Sequence, residues 1–343
     1  MDANQIIKEV IEKAANFLSE NIEWEDRYQG YIKNVSKKTE RSFNKPEGLS
    51  LYSSVSTIGK YYDLRFRGQS VATIKETNDL TKLIVNNDAT EKYFDFKLSK
   101  DEVDWGSEDA ENFRRHFKEE SRKFTMGDSD IDRKYPKSEE HRVENCLLRE
   151  FSKNSSLGKA LCNIQPITLD GLFFQMPTPL GASGNELKYA NQNGGGIDIL
   201  ARTKRGNKSY ICVMEVKDEN KPNESQKKTM SQAVSYAVFI AHLLRSNSSN
   251  SSNSSNSGQQ WWDFFMGRDF ANNETKKIPN DIDINVVTIM PKGNTEEYCN
   301  TEGIEISTLN GVKLYCHSLY YDKEAFDKDE TFKFSGTFKE YLD

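Results

Sequence analysis

At 343 residues, with 36% hydrophobic and 29% charged residues, the chain has length for about two domains and enough apolar material to build real cores, which excludes wholesale disorder. A formal net charge of −6 excludes a surface coated in Lys and Arg for general polyanion binding, although a local basic groove is still allowed. Five single cysteines without CxxC spacing, and four histidines without an HxH or HExxH pattern, argue against zinc and for reduced thiols in a cytoplasmic setting.

In chain order, Ile6, Ile7, Val10, Ile11, Ala14 and Leu18 recur at helical spacing in an acidic, amphipathic opening segment that is unlike a secretory leader. Residues 47–100 read as strands of an antiparallel sheet: LSLYSSVS, KYYDLRFRGQSVATIK, KLIVN and KYFDFKL. WGSEDAENFRRHFKEESRKF reads as a polar helix with Ser107 as N-cap, and MGDSDIDRKYPK as a linker. The expected division is therefore an N-terminal α+β module over 1–130 and a second domain over 131–343.

The second domain opens with an amphipathic helix, EEHRVENCLLREFSK, followed by strands LFFQMPTPL, GGIDILARTK and SYICVMEVKD. A long helix over 225–246 and a buried strand DINVVTIMP follow, an order that predicts an α/β sandwich with a mixed central sheet flanked by helices. Residues 246–258, SNSSNSSNSSNSG, predict a flexible loop. The paired Trp261 and Trp262 beyond it read as core, with a base-stacking platform as the alternative. Asn310-Gly311 signals a type I′ hairpin turn. No stretch approaches 18 consecutive apolar residues, so no membrane span is expected.

The stretch GGGIDILARTKRGNKSYICVMEVKDENK carries the most chemistry. With Gly206-Asn207 as a two-residue turn, antiparallel partners pair Ile199 with Met214, Ala201 with Cys212 and Thr203 with Tyr210. The same register sets Asp198 opposite Glu215 and Gly196 opposite Lys217. Opposed side chains lie about 5 Å apart, so the two carboxylates repel unless a cation sits between them. The tripeptide [DE]xK occurs four more times in the chain, so only the context of Glu215-Val216-Lys217 makes it distinctive.

These residues resemble the PD-(D/E)XK nuclease superfamily, with its restriction-endonuclease-like fold. The likeness rests on Gly195-Gly196-Ile197-Asp198, on Glu215-Val216-Lys217, and on Gln232 with Tyr236 on the next helix, over roughly residues 139–291. Ile197 stands where the family name places a proline. The resemblance implies a metal-dependent DNA endonuclease of restriction, defence or repair, with DNA favoured over RNA and a homodimer as the common habit.

It also implies roles for single residues. Asp198, Glu215, the Val216 carbonyl and an upstream helix carboxylate, Glu144 before Glu140, would hold Mg²⁺ or substituting Mn²⁺. Lys217 would orient the attacking water, with Gln232 beside it. Tyr236 would contact nucleic acid; Arg202, Lys204, Arg205, Lys208, Lys221, Lys227 and Lys228, by their closeness in sequence to the acids, read as contacts to a phosphate backbone, with an ordinary solvated face as the alternative. The alternative is a catalytically silent nucleic-acid-binding or scaffold protein on the same fold.

Overall fold

The opening apolar stripe forms α1 (Ala3–Glu20), where Ile6, Ile7, Ile11, Ala14, Ala15 and Leu18 are all buried. A second helix, α2 (Glu23–Val35), starts with three acids in its first turn, which suit the positive end of the helix dipole. This computed structural model describes residues 3–35, 41–57, 59–125, 139–152, 164–184, 186–205, 208–218, 225–246, 257–267, 277–293 and 303–338. The chain divides into two units, Met1–Ser36 with Glu150–Ile167 and Gln175–Asp343, and Lys37–Arg149 with Thr168–Phe174.

The second of these units is built on a five-stranded antiparallel sheet. Its strands β1 (Ser50–Ser53), β2 (Lys60–Phe66), β3 (Gln69–Glu76), β4 (Thr81–Val85) and β5 (Glu102–Asp104) lie in sequence order. KYYDLRFRGQSVATIK, read as one strand, is a hairpin. Phe66 pairs with Gln69 around Arg67 and Gly68, both at positive φ, which is the backbone a type I′ turn needs.

KYFDFKL does not form the expected strand. Asn86 caps α3 (Asn87–Phe94) by accepting from the Ala89 N–H, and Asp95 ends the helix in the left-handed region. Local capping thus overrides the aromatic β-propensity of residues 93–96. Ser107 caps α4 (Glu108–Thr125) as expected, its hydroxyl accepting from Ala110 N at 3.3 Å. Phe66, Phe113, Phe117, Leu64, Ile74 and Leu83 centre the core of this unit. The expected linker over 126–137 lies outside the described residues.

The helix α5 (Glu139–Phe151) begins in the second unit, where it meets the β2–β3 turn so closely that a Cβ at Gly68 would lie 2.3 Å from the His141 carbonyl oxygen. Buried Asn145 donates to the Tyr52 hydroxyl at 2.9 Å and accepts from Ser50 at 3.3 Å.

The remaining elements belong to the first unit. β6 (Ile164–Pro166), β7 (Met176–Thr178), β8 (Leu180–Gly181), β9 (Lys188–Tyr189), β10 (Gly195–Ile197), β11 (Ile199–Arg205) and β12 (Lys208–Val216) precede α6 (Gln226–Arg245) and α7 (Ser257–Phe265). Then come β13 (Ile282–Pro291), β14 (Ile304–Glu305), β15 (Val312–Tyr321), α8 (Lys323–Asp329) and β16 (Phe334–Ser335). The main sheet runs β14-β15-β13-β12-β11-β6, with β12, β13 and β15 parallel and the rest antiparallel. The protein is thus mixed α/β, with a mixed sheet as expected.

α6 is buried on nearly every side, from Thr229 and Met230 to Leu243 and Leu244, because it lies between the sheet and α1 and α7. The apolar stripe of α1 packs on α6, and Trp24 and Tyr28 of α2 meet the Phe239 ring at 5.7 and 4.8 Å. Residues 1–36 therefore fall in the same compact unit as the main sheet, whereas composition placed a boundary near residue 130.

Trp261 and Trp262 are 0% and 6% exposed, and Trp261 packs on Phe265 and Tyr28, so α7 is core and offers no stacking surface. The expected Ser/Asn loop ends earlier than read, since Ser257 and Gly258 already belong to α7; residues 247–256 lie outside the described residues. The hairpin at Asn310-Gly311 forms with a longer turn. Ile304 pairs with Leu314 and Glu305 with Lys313, so six residues connect the strands and only Gly311 takes a positive φ.

Candidate functional site

β12 occupies the middle of the main sheet, and every residue from Ile211 to Val216 is buried. A strand covered on both faces reads as a continuous apolar run, and ICVM supplies one. At its end the sequence changes to Glu215-Val216-Lys217. The hairpin register is as expected, with Ile199 opposite Met214, Ala201 opposite Cys212 and Thr203 opposite Tyr210. The Gly206-Asn207 turn itself lies outside the described residues.

The register stops at Ile199. β10 leaves β12 and pairs with β7 instead, which sets Gly196 against Pro177; the expected pairing of Gly196 with Lys217 does not form. Asp198 is the one residue between β10 and β11. It makes no ladder pair with Glu215, but its Oδ2 accepts from the Val216 backbone N–H at 2.9 Å, so it still reaches the end of β12. One carboxylate oxygen of Asp198 and one of Glu215 lie within 4.8 Å of each other.

Asp198, Glu215 and Lys217 are 8%, 1% and 9% exposed. Lys217 Nζ donates to Glu215 Oε1 at 2.9 Å, and the Lys217 backbone N–H donates to Ile289 O at 2.8 Å. Two carboxylates and one ammonium sum to −1 in a place from which water is largely withdrawn. Hard carboxylate oxygens are the donors a divalent cation such as Mg²⁺ prefers, so the residues present fit it. Cys212 on the same strand is no competitor, since burial pushes its thiol well up and keeps it protonated.

α6 brings Gln232 and Tyr236 together on one face, with Gln232 Nε2 donating to the Tyr236 hydroxyl at 3.3 Å. Tyr236 faces the acids. Burial raises its pKa most, Glu215 and then Asp198 add to the rise, and hydrogen bonds with Gln232 and the Ala182 backbone oppose it. The glycine run before Asp198 has a steric purpose here, because a Cβ at Gly195 would lie 2.4 Å from the Tyr236 oxygen.

The basic residues of β11 are not brought to the acids. Arg202 stands four residues along the strand from Asp198, about 13 Å at the usual strand rise. It is half-buried, donates to Gln165 at 3.0 Å and packs against Gly267. Lys204 and Arg205 lie further still along β11, pairing with Ser209 and Lys208 near the turn. Lys208 is bound to Asp283. The extended strand thus spaces these backbones progressively along the hairpin, away from Asp198. Lys221 lies outside the described residues, whereas Lys227 and Lys228 open α6, the helix that carries Gln232.

The upstream carboxylates stand on α5. Glu144 is 1% exposed with His141 Nδ1 at 3.4 Å, and Glu140 is half-buried one turn earlier.

A row of polar residues beside the acids had no motif to announce it. Glu215, Thr288 and Ser318 stand in register across three parallel strands. Gln226 donates to Ser318 and accepts from Tyr320 at 2.8 Å. Thr288 interrupts the apolar run of β13, the one signal that could have exposed it.

No family model matches the chain, and neither the curated proteins nor the solved structures compared with it include a match.

Proposed function

We propose that this chain is a metal-dependent phosphodiester hydrolase, a DNA endonuclease on a restriction-endonuclease-like core. The observation that carries the reading is the buried Asp198–Glu215 pair with Lys217 Nζ 2.9 Å from Glu215, gathered at the end of a central strand. Asp198, Glu215 and the Val216 carbonyl would hold Mg²⁺ or Mn²⁺. A cation so bound lowers the pKa of its water and offsets charge developing on the scissile phosphate.

Lys217 serves as an electrostatic group. Its Nζ, which donates to Glu215 Oε1, would orient the attacking water and stabilise the phosphorane charge. Gln232 and Tyr236 hold the wall behind the acids.

Cleavage of plasmid and of single-stranded DNA with Mg²⁺ or Mn²⁺ tests the reading, comparing the wild type with Asp198→Ala and Lys217→Ala. The reading expects activity in the wild type alone. Equal activity in all three, or none in the wild type with either metal, overturns it.

A further inference from the structure

A cavity of about 460 Å³ opens between α1 and the first turns of α6, closed on a third side by Ala182, Gly184, Glu186 and Leu187. Its volume falls within the roughly 300 to 1,000 Å³ of small-molecule sites. The apolar part of its wall comes from Ile6, Val10 and Leu187. Val10 belongs to the helical stripe of α1 by spacing, yet it is only half-buried and lines this space.

The polar part of the wall is concentrated on α6. Ser225 caps the helix, Lys227 and Lys228 follow, and no acid stands in the first turn to offset the positive end of the dipole. Lys13 adds a third cation from α1, while Glu9 and Glu186 line the wall as anions. Gln232, 6% exposed, lines the same cavity and donates to Tyr236, whose hydroxyl senses Glu215 and Asp198. Gln232 and Tyr236 therefore link the cavity to the acidic centre.

We propose that this cavity takes one nucleoside monophosphate unit, its base against Ile6, Val10 and Leu187 and its phosphate toward Lys227 and Lys228. Free nucleotide and a unit within a DNA strand share that chemistry. That the unit belongs to the strand being cut rests on the hydrolase reading; nucleotide binding itself does not. The proposal makes the N-terminal helix part of the ligand site.

Titration calorimetry of the full chain without divalent cation tests it, with four probes: inorganic phosphate, deoxyadenosine, dAMP and a single-stranded oligodeoxynucleotide. We expect dAMP to bind more tightly than phosphate or deoxyadenosine alone. Val10→Trp, which fills the cavity, should weaken dAMP about tenfold or more. The surface pair Lys227→Ala with Lys228→Ala should weaken dAMP similarly while leaving deoxyadenosine unchanged, and circular dichroism checks that both variants are folded.

Tighter binding of the oligonucleotide than of dAMP assigns the site to a strand, and equal binding assigns it to free nucleotide. No dAMP binding by the wild type, or dAMP binding that survives the lysine pair, overturns the proposal. Asp198→Ala should keep dAMP binding whatever it does to cleavage, so failure of one reading is distinguishable from failure of the other.

Discussion

The Asp198 carboxylate accepts the backbone N–H of Val216 at 2.9 Å, tying the start of β11 to the end of β12 across 18 residues of sequence. A side chain does here what a ladder bond does elsewhere, because β10 has already turned away to β7. The bond explains how an acid that forms no strand pair with Glu215 still stands beside it.

That relationship separates the charge of Asp198 from its structural role. Asp198→Asn keeps an oxygen acceptor for Val216 and should leave the urea midpoint nearly unchanged. Asp198→Ala removes the acceptor of a buried N–H and should destabilise by about 1 to 3 kcal/mol. On the proposed function, both variants should lose cleavage by more than about 100-fold. Cleavage by Asp198→Asn at the wild-type rate would show that the charge has no catalytic use.

Lys217 balances a carboxylate that is 1% exposed. Lys217→Met leaves Glu215 buried beside Asp198 with less positive charge and should cost about 3 kcal/mol in metal-free buffer. Added Mg²⁺ should recover part of that loss, since binding to the folded state alone stabilises by about 2.7 kcal/mol at a concentration 100 times Kd. Denaturation curves with and without Mg²⁺ read both effects. A Mg²⁺ response retained in Glu215→Gln would place the cation elsewhere.

The contact of Gly195 with Tyr236 predicts a coupled pair. Gly195→Ala puts a methyl 2.4 Å from the phenol oxygen of a 1% exposed ring and should cost about 1 to 3 kcal/mol. Tyr236→Phe removes that oxygen, so the double variant should be more stable than the sum of the two single changes requires. Strict additivity in a thermal double-mutant cycle would argue against the contact.

Burial lowers the pKa of His317 and of His242 to about 4. The unfolded chain takes up those protons near pH 6.5, before the folded chain does. Stability should therefore be full above pH 6.5, fall between pH 6.5 and 4, and level off below. For His317, packed on Phe338 at 5.2 Å, the loss approaches about 3 kcal/mol; for half-buried His242 it is smaller. Urea unfolding at pH 5 and 7 should show the difference shrink in His317→Gln. An unchanged pH dependence there would assign the effect to other groups.

Much of the site was readable because it is local. The Asp198 and Glu215 segments lie within one hairpin, and period-2 alternation together with an apolar run placed the strands and their register as far as Ile199. Local signals misled where a nearby competitor acted. The Asn86 cap turned KYF into helix, and the Arg67-Gly68 turn divided one apparent strand into two. Closeness in sequence also says little about spacing once a strand is extended, since Arg202 stands four residues along β11 from Asp198.

By itself the sequence determined the elements that depend on near neighbours: the amphipathic helices, the β11–β12 hairpin and the acid, acid and lysine that end it. Only the tertiary structure decided what long-range packing decides. It sent β10 to β7, set Gly195 under Tyr236, lined up Thr288 and Ser318 beside Glu215, and joined α1 to α6. The physical reason is that burial is non-directional. An apolar stripe shows that a face will be covered, but which segment covers it, and what space is left between them, depends on the fit of surfaces far apart in the chain.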